Sequence, residues 1–135
     1  MKEITKEWLE RAYDDIETVS EIIDNPRLTN VVALHSQQAI EKSLKAVIEE
    51  FEIGAIKTHN LEKLFATVDD FIQFETDRNL VKKLDALYID ARYPSEWGLL
   101  SYGKPTMEDA RKFYKLAMEI YDMVKNFLGS YPDEE

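Results

Sequence analysis

The chain contains no cysteine and only two histidines, His35 and His59. Without cysteine there is no disulfide framework and no thiolate metal site, a composition that suits a reducing compartment. With two imidazoles, a zinc site would need carboxylates to complete it, and none stands at Glu-x-x-His spacing, so no metal site and no cofactor is expected. A glycine-rich phosphate loop, HExxH, an acidic calcium loop and a G-x-S-x-G turn are also missing. Glycine and proline number four each in 135 residues, too few for a long linker, and no strand-like alternation or internal repeat interrupts the chain. No stretch approaches eighteen continuous apolar residues, and the start, MKEITKEWLE, is charged and lacks an apolar signal region. Those features predict a cytoplasmic protein with no membrane partner.

Positive charge is scarce as well. Seventeen basic residues stand against 27 acidic ones, a formal charge of −10, so long nucleic acid meets a repulsive average field and RNA is a disfavoured partner. A small nucleotide is a different case, because a few converging cations can hold one phosphate whatever the overall sum. With 44% hydrophobic and 33% charged residues, the composition is that of a folded helical protein, and the length fits one domain over residues 1–135.

The stretch that organises the chain is ALHSQQAIEKSLKAV, residues 33–47. Ala33, Ile40, Leu44, Val47 and Phe51 align on one side of a helix as core. Ser36, Ala39, Ser43 and Ala46 form a stripe of small side chains suited to close helix contact. His35, Gln38, Lys42 and Lys45 fall on a third line, where hydrogen-bonding groups and two ammonium groups project together. Glu41 and Lys45 also make an ordinary four-apart ion pair, and on spacing alone a solvated helix face accounts for the lysines.

In chain order, a first helix from Ile4 to about Asp24 carries Trp8, Ala12, Ile16, Val19 and Ile23. Pro26 breaks it, Thr29 or Asn30 caps the next helix, and the short link predicts antiparallel neighbours. The second helix ends near Gly54 as a left-handed stop. Thr58 or Asn60 caps a third helix bearing Leu61, Leu64, Phe65, Val68, Phe71 and Ile72, with His59 at its start. Such a histidine can satisfy backbone groups or present an imidazole to an anion.

A fourth helix from near Thr76 carries Leu80, Leu84, Leu87 and Ala91, with Tyr88 and Arg92 alongside. It stops by Tyr93 because Pro94 follows. Arg92 there complements the carbonyl end of the helix. PSEWGLLSYGKP, residues 94–105, is the longest irregular loop, and its aromatic residues must pack on something. Thr106 and Asp109 open a last helix with a capping box. The Asp14–Asp15 and Asp69–Asp70 pairs have the look of surface, since adjacent helical residues point apart. The fold class is all-α, an up-and-down bundle of about five helices.

Four pieces in order give a resemblance: Trp8 with Ala12 and Asp15; SQQAIEKSLKAVI from Ser36; THNLEKL from Thr58; and ARYP, Ala91 to Pro94. Together they resemble the HEPN domain family of small helical proteins. The resemblance implies a homodimer, a partner protein of the small nucleotidyltransferase type, and a nucleotide-binding or regulatory role of toxin–antitoxin-like kind. In that role Lys42, Lys45 and Arg92 would hold phosphate and Tyr93 would stack or hydrogen-bond, with Gln38, His35 and His59 as further candidates. A homodimer would also give the small-residue stripe and the aromatic loop a use. Many family members are ribonucleases with an arginine followed, after four to six residues, by a histidine. Arg92 matches that arginine, but no histidine occurs after His59, which leans the reading away from an enzyme. The alternatives are a non-catalytic structural or interaction module, and a degenerate ribonuclease using His59 or His35.

Overall fold

The structure is a computed structural model describing residues 1–54, 57–92 and 104–130, with side chains described through Tyr88 and again from Lys104. The described residues form five α-helices and no strand: α1 (Glu3–Ile22), α2 (Thr29–Glu50), α3 (Leu61–Val68), α4 (Arg78–Arg92) and α5 (Met107–Gly129). The all-α bundle expected from the periodicity is therefore what forms. No described helix is long and apolar enough to cross a membrane.

The helix α2 is the spine, packing against α1, α5, α4 and α3. Its stripe of Ala33, Ile40, Leu44 and Val47 is buried with Leu9, Ala12 and Ile16 of α1 and Phe113, Ile120 and Val124 of α5. Leu9, absent from the predicted α1 stripe, takes the buried position, while Trp8 is half-buried at the edge. At one end Lys2 N (2.9 Å) and Thr5 Oγ1 (3.0 Å) donate to Glu50 Oε1. The start of α1 thus meets the end of α2, so the two run antiparallel. The small stripe of Ser36, Ala39, Ser43 and Ala46 is fully buried within the protomer, so it serves close packing inside the bundle and not a dimer face.

Several boundaries differ from the sequence expectation. A 3₁₀ turn, Pro26–Leu28, precedes α2, and Leu28, not Thr29 or Asn30, stands at the N-cap. The turn already points the chain into the helix, and Asn25 accepts from Arg27 N instead. The left-handed stop of α2 is Glu52 (φ 51°) and not Gly54, whose φ is 126°. Ile53 N bonds Ile48 O (3.0 Å) and Glu52 N bonds Glu49 O (3.3 Å), the paired bonds of a Schellman end. Helix α3 stops at Val68, so Phe71 and Ile72 lie beyond it, and exposed Phe71 stacks on Phe51 with centroids 4.8 Å apart. Helix α4, expected from near Thr76, starts at Arg78, with Asp77 capping it by accepting from Asn79 N and Leu80 N. The Thr106–Asp109 capping box of α5 forms as expected. The Ala91 side chain and the loop following Arg92, with Tyr93, Pro94 and Trp97, lie outside the described residues.

Candidate functional site

The polar line of α2 is organised by two buried carboxylates, one from α1 and one from α2 itself. Asp15, on the edge of the α1 apolar stripe, is 5% exposed. Its Oδ1 lies 2.9 Å from His35 Nδ1 and its Oδ2 2.7 Å from Lys42 Nζ. Glu41 is 6% exposed, with Oε1 2.8 Å from His59 Nδ1 and Oε2 3.1 Å from Lys45 Nζ. Four of the seven predicted residues thus divide into His35 with Lys42 and Lys45 with His59. Each pair shares one carboxylate, because a buried charge requires partners. The Glu41–Lys45 pair expected from spacing exists, but its carboxylate is inside the protein. Asp15 is likewise not surface, correcting the expectation drawn from its adjacency to Asp14.

Gln37 is fully buried and donates from Nε2 to His59 O at 2.7 Å and to Glu41 Oε1 at 3.4 Å. It fixes the segment before α3 onto α2. Gln38, half-buried, makes no hydrogen bond among the described residues. With Glu41 ionised, the His59 Nδ1–H donates to it, leaving Nε2 as the acceptor of the neutral ring. The His59 ring lies 5.7 Å from that of Tyr88 on α4, and Arg92 follows Tyr88 by one helical turn on the same helix. The Arg92 side chain and all of Tyr93 lie outside the described residues, so their expected roles stand only as proposals.

Helix α3 begins under a third buried carboxylate. Asp85 of α4, 7% exposed, accepts from Leu61 N at 2.9 Å and Glu62 N at 3.4 Å. Asn60 caps the same helix by accepting from Lys63 N. Burial pushes the Asp85 carboxyl up to about 6, against the lowering effect of those backbone donors.

Beside Lys42 lies a groove of about 270 Å³ lined by Ile4, Glu7, Trp8, Arg11 and Lys42. Lys45 Nζ sits 5.5 Å from the Trp8 ring centroid, so the indole is flanked by both candidate lysines. Trp8 Nε1 is buried with no partner among the described residues. The periodicity set Trp8 on the apolar stripe of the first helix; only the fold places it and Arg11 beside Lys42.

The HEPN domain family matches residues 5–127 of this chain. The chain belongs to the HEPN family. A Methanocaldococcus jannaschii protein named Putative toxin MJ1304 is 28% identical over 136 residues, covering 91% of this chain and 87% of that protein. The crystal structure of ST0689, an archaeal HEPN homologue, has the same fold at 23% identity and a TM-score of 0.64, covering 93% of this chain and 98% of that one. The HEPN resemblance carried by the four sequence pieces is thereby met by the family match and the helical architecture.

Proposed function

We propose that this HEPN protein is a nucleotide-responsive regulator that works as a homodimer with a small nucleotidyltransferase-type partner, in a toxin–antitoxin-like pair. The observation that carries the nucleotide half is the groove in which Trp8, Arg11 and Lys42 converge. Lys42 spends one of its three donors on Asp15, and Arg11 bonds Glu7 Oε1 through Nη2 at 2.9 Å, which leaves N–H groups on both for phosphate oxygens. An indole wall beside two cations suits a planar base joined to a phosphate. The pairing half rests on HEPN membership and on the toxin name of the M. jannaschii relative.

The test is calorimetric titration with ATP and GTP on the wild-type protein and on Arg11→Gln, Lys42→Gln and Arg92→Ala, each checked for helicity. Saturable binding weakened roughly tenfold or more by Arg11→Gln and Lys42→Gln is the expected outcome, the loss of a charge-assisted bond. No heat with either nucleotide up to about millimolar concentration, where affinity is only about −4 kcal/mol, rejects free ATP and GTP as ligands.

One observation favours a second reading. The Glu41–His59 contact of 2.8 Å holds an imidazole beside Tyr88, and Arg92 stands one helical turn after Tyr88 on α4, which would let His59 transfer a proton in RNA cleavage although no histidine follows Arg92. Cleavage of RNA that disappears in both His59→Gln and Arg92→Ala supports it; cleavage indifferent to both removes it.

A further inference from the structure

A second cavity, remote from the lysine line, lies between α3 and the start of α4. It encloses about 200 Å³, and its walls include Glu62, Phe65, Asp69, Phe74, Thr76 and Arg78. Phe65 and Phe74 meet edge to face with centroids 5.3 Å apart. Among the described residues the carboxylates of Glu62 and Asp69 make no hydrogen bond or ion pair, and neither does the Arg78 guanidinium. Over residues 62–78 five carboxylates stand against two basic side chains, Lys63 and Arg78. The cavity therefore has an aromatic wall, two uncommitted anions and a negative surround.

We propose that this cavity receives an arginine side chain from a basic segment of a partner protein. A cavity of about 200 Å³ with Phe65 and Phe74 in its wall fits one long side chain inserted end-on. Phosphate is disfavoured by the two carboxylates. A guanidinium satisfies both features at once, since it lies against an aromatic ring and forks to carboxylate oxygens, whereas a lysine ammonium offers only a point charge. The −10 formal charge steers a basic segment toward the protein, and the cavity selects the side chain. The inference rests on the partner-binding half of the proposed function and is independent of the groove beside Lys42.

The test is fluorescence anisotropy of a dye-labelled glycine–serine–arginine peptide, with lysine and glutamate versions in parallel. Variants are the surface double change Glu62→Gln with Asp69→Asn, and Arg78→Ala, all with helicity checked. The arginine peptide is expected to bind saturably and more tightly than the lysine peptide. The double variant should weaken it by roughly tenfold or more, while Arg78→Ala, which removes the competing cation, should tighten it. The opposite signs distinguish a local effect from a folding defect. Binding unchanged by the double variant, preference for lysine, or preference for the glutamate peptide overturns the proposal. ATP and GTP titrations of the same double variant should be unchanged, so a failed nucleotide site and a failed arginine site are told apart.

Discussion

Asp15 Oδ2 lies 2.7 Å from Lys42 Nζ, and the two ends of this pair are not equally buried. The Asp15 side chain is 8% exposed and that of Lys42 24%. Removing the lysine leaves a carboxylate with little water and only His35 to hold it, whereas removing the carboxylate leaves an ammonium that still reaches solvent. Lys42→Met is therefore expected to cost about 2 to 4 kcal/mol and Asp15→Asn less, about 1 to 2 kcal/mol. Urea unfolding at pH 7 measures both. Equal losses, or a larger loss in Asp15→Asn, would show that the carboxylate is not the dependent partner.

Adjacency to Asp14 made Asp15 read as surface and the four-apart pair with Lys45 made Glu41 read as solvated, yet the spacing of the three buried carboxylates carried a signal that their partners did not. Asp15 stands three residues after Ala12 and four before Val19; Glu41 three before Leu44 and seven before Ile48; Asp85 four after Val81 and three before Tyr88. All three occupy apolar-stripe positions, where a charge signals a built contact. What local pattern could not supply is which residue arrives opposite. His59 reaches Glu41 from 18 residues away and Lys42 reaches Asp15 from 27, through packing that periodicity does not encode. The helices were legible because their apolar faces are local. Their ends were less so, since Glu52 takes the left-handed position that Gly54 appeared made for.

Asp85 makes stability depend on pH. Its carboxyl is pushed by burial from the ordinary 3.8 up to about 6 in the folded protein, so between those values the folded state binds more protons than the unfolded one. Stability from this group is full below about 3.8 and is lost as pH rises through 6. The gap corresponds to at most about 3 kcal/mol. Asp85→Asn keeps an acceptor for the α3 backbone donors but does not titrate. The wild-type unfolding free energy minus that of Asp85→Asn should thus rise by about 1 to 3 kcal/mol from pH 7 to pH 4; a flat difference contradicts the shifted carboxyl.

The end of α2 offers a stabilising change. A non-glycine residue in the left-handed region costs on the order of 1 kcal/mol, and Glu52 sits there at φ 51°. Its contact with Lys2 at 3.2 Å joins two exposed side chains and contributes little. Glu52→Gly is expected to raise stability by about 0.5 to 1 kcal/mol. Gly54→Ala should do the reverse, because φ 126° strains any side chain even though the space around Gly54 is open. A thermal melt of both variants checks the pair, and a destabilised Glu52→Gly would mean that the glutamate does more than close the helix.

Glu41 should control the start of α3 more than the bundle as a whole. At eight residues that helix is too short to persist alone, and its preceding segment is held by His59 Nδ1 on Glu41 and by Gln37 on His59 O. Glu41→Ala removes the first contact and leaves Gln37 Nε2 with one acceptor instead of two. The global loss is expected near 2 kcal/mol. Amides of residues 60–64 should lose more protection from hydrogen exchange than those of α5, because local opening there no longer has to break the His59 contact. Asp15→Asn, which touches neither α3 nor its lead-in, should leave that ratio unchanged. If Glu41→Ala instead lowers protection evenly across α3 and α5, the Glu41–His59 contact stabilises the bundle globally and is not a local anchor for α3.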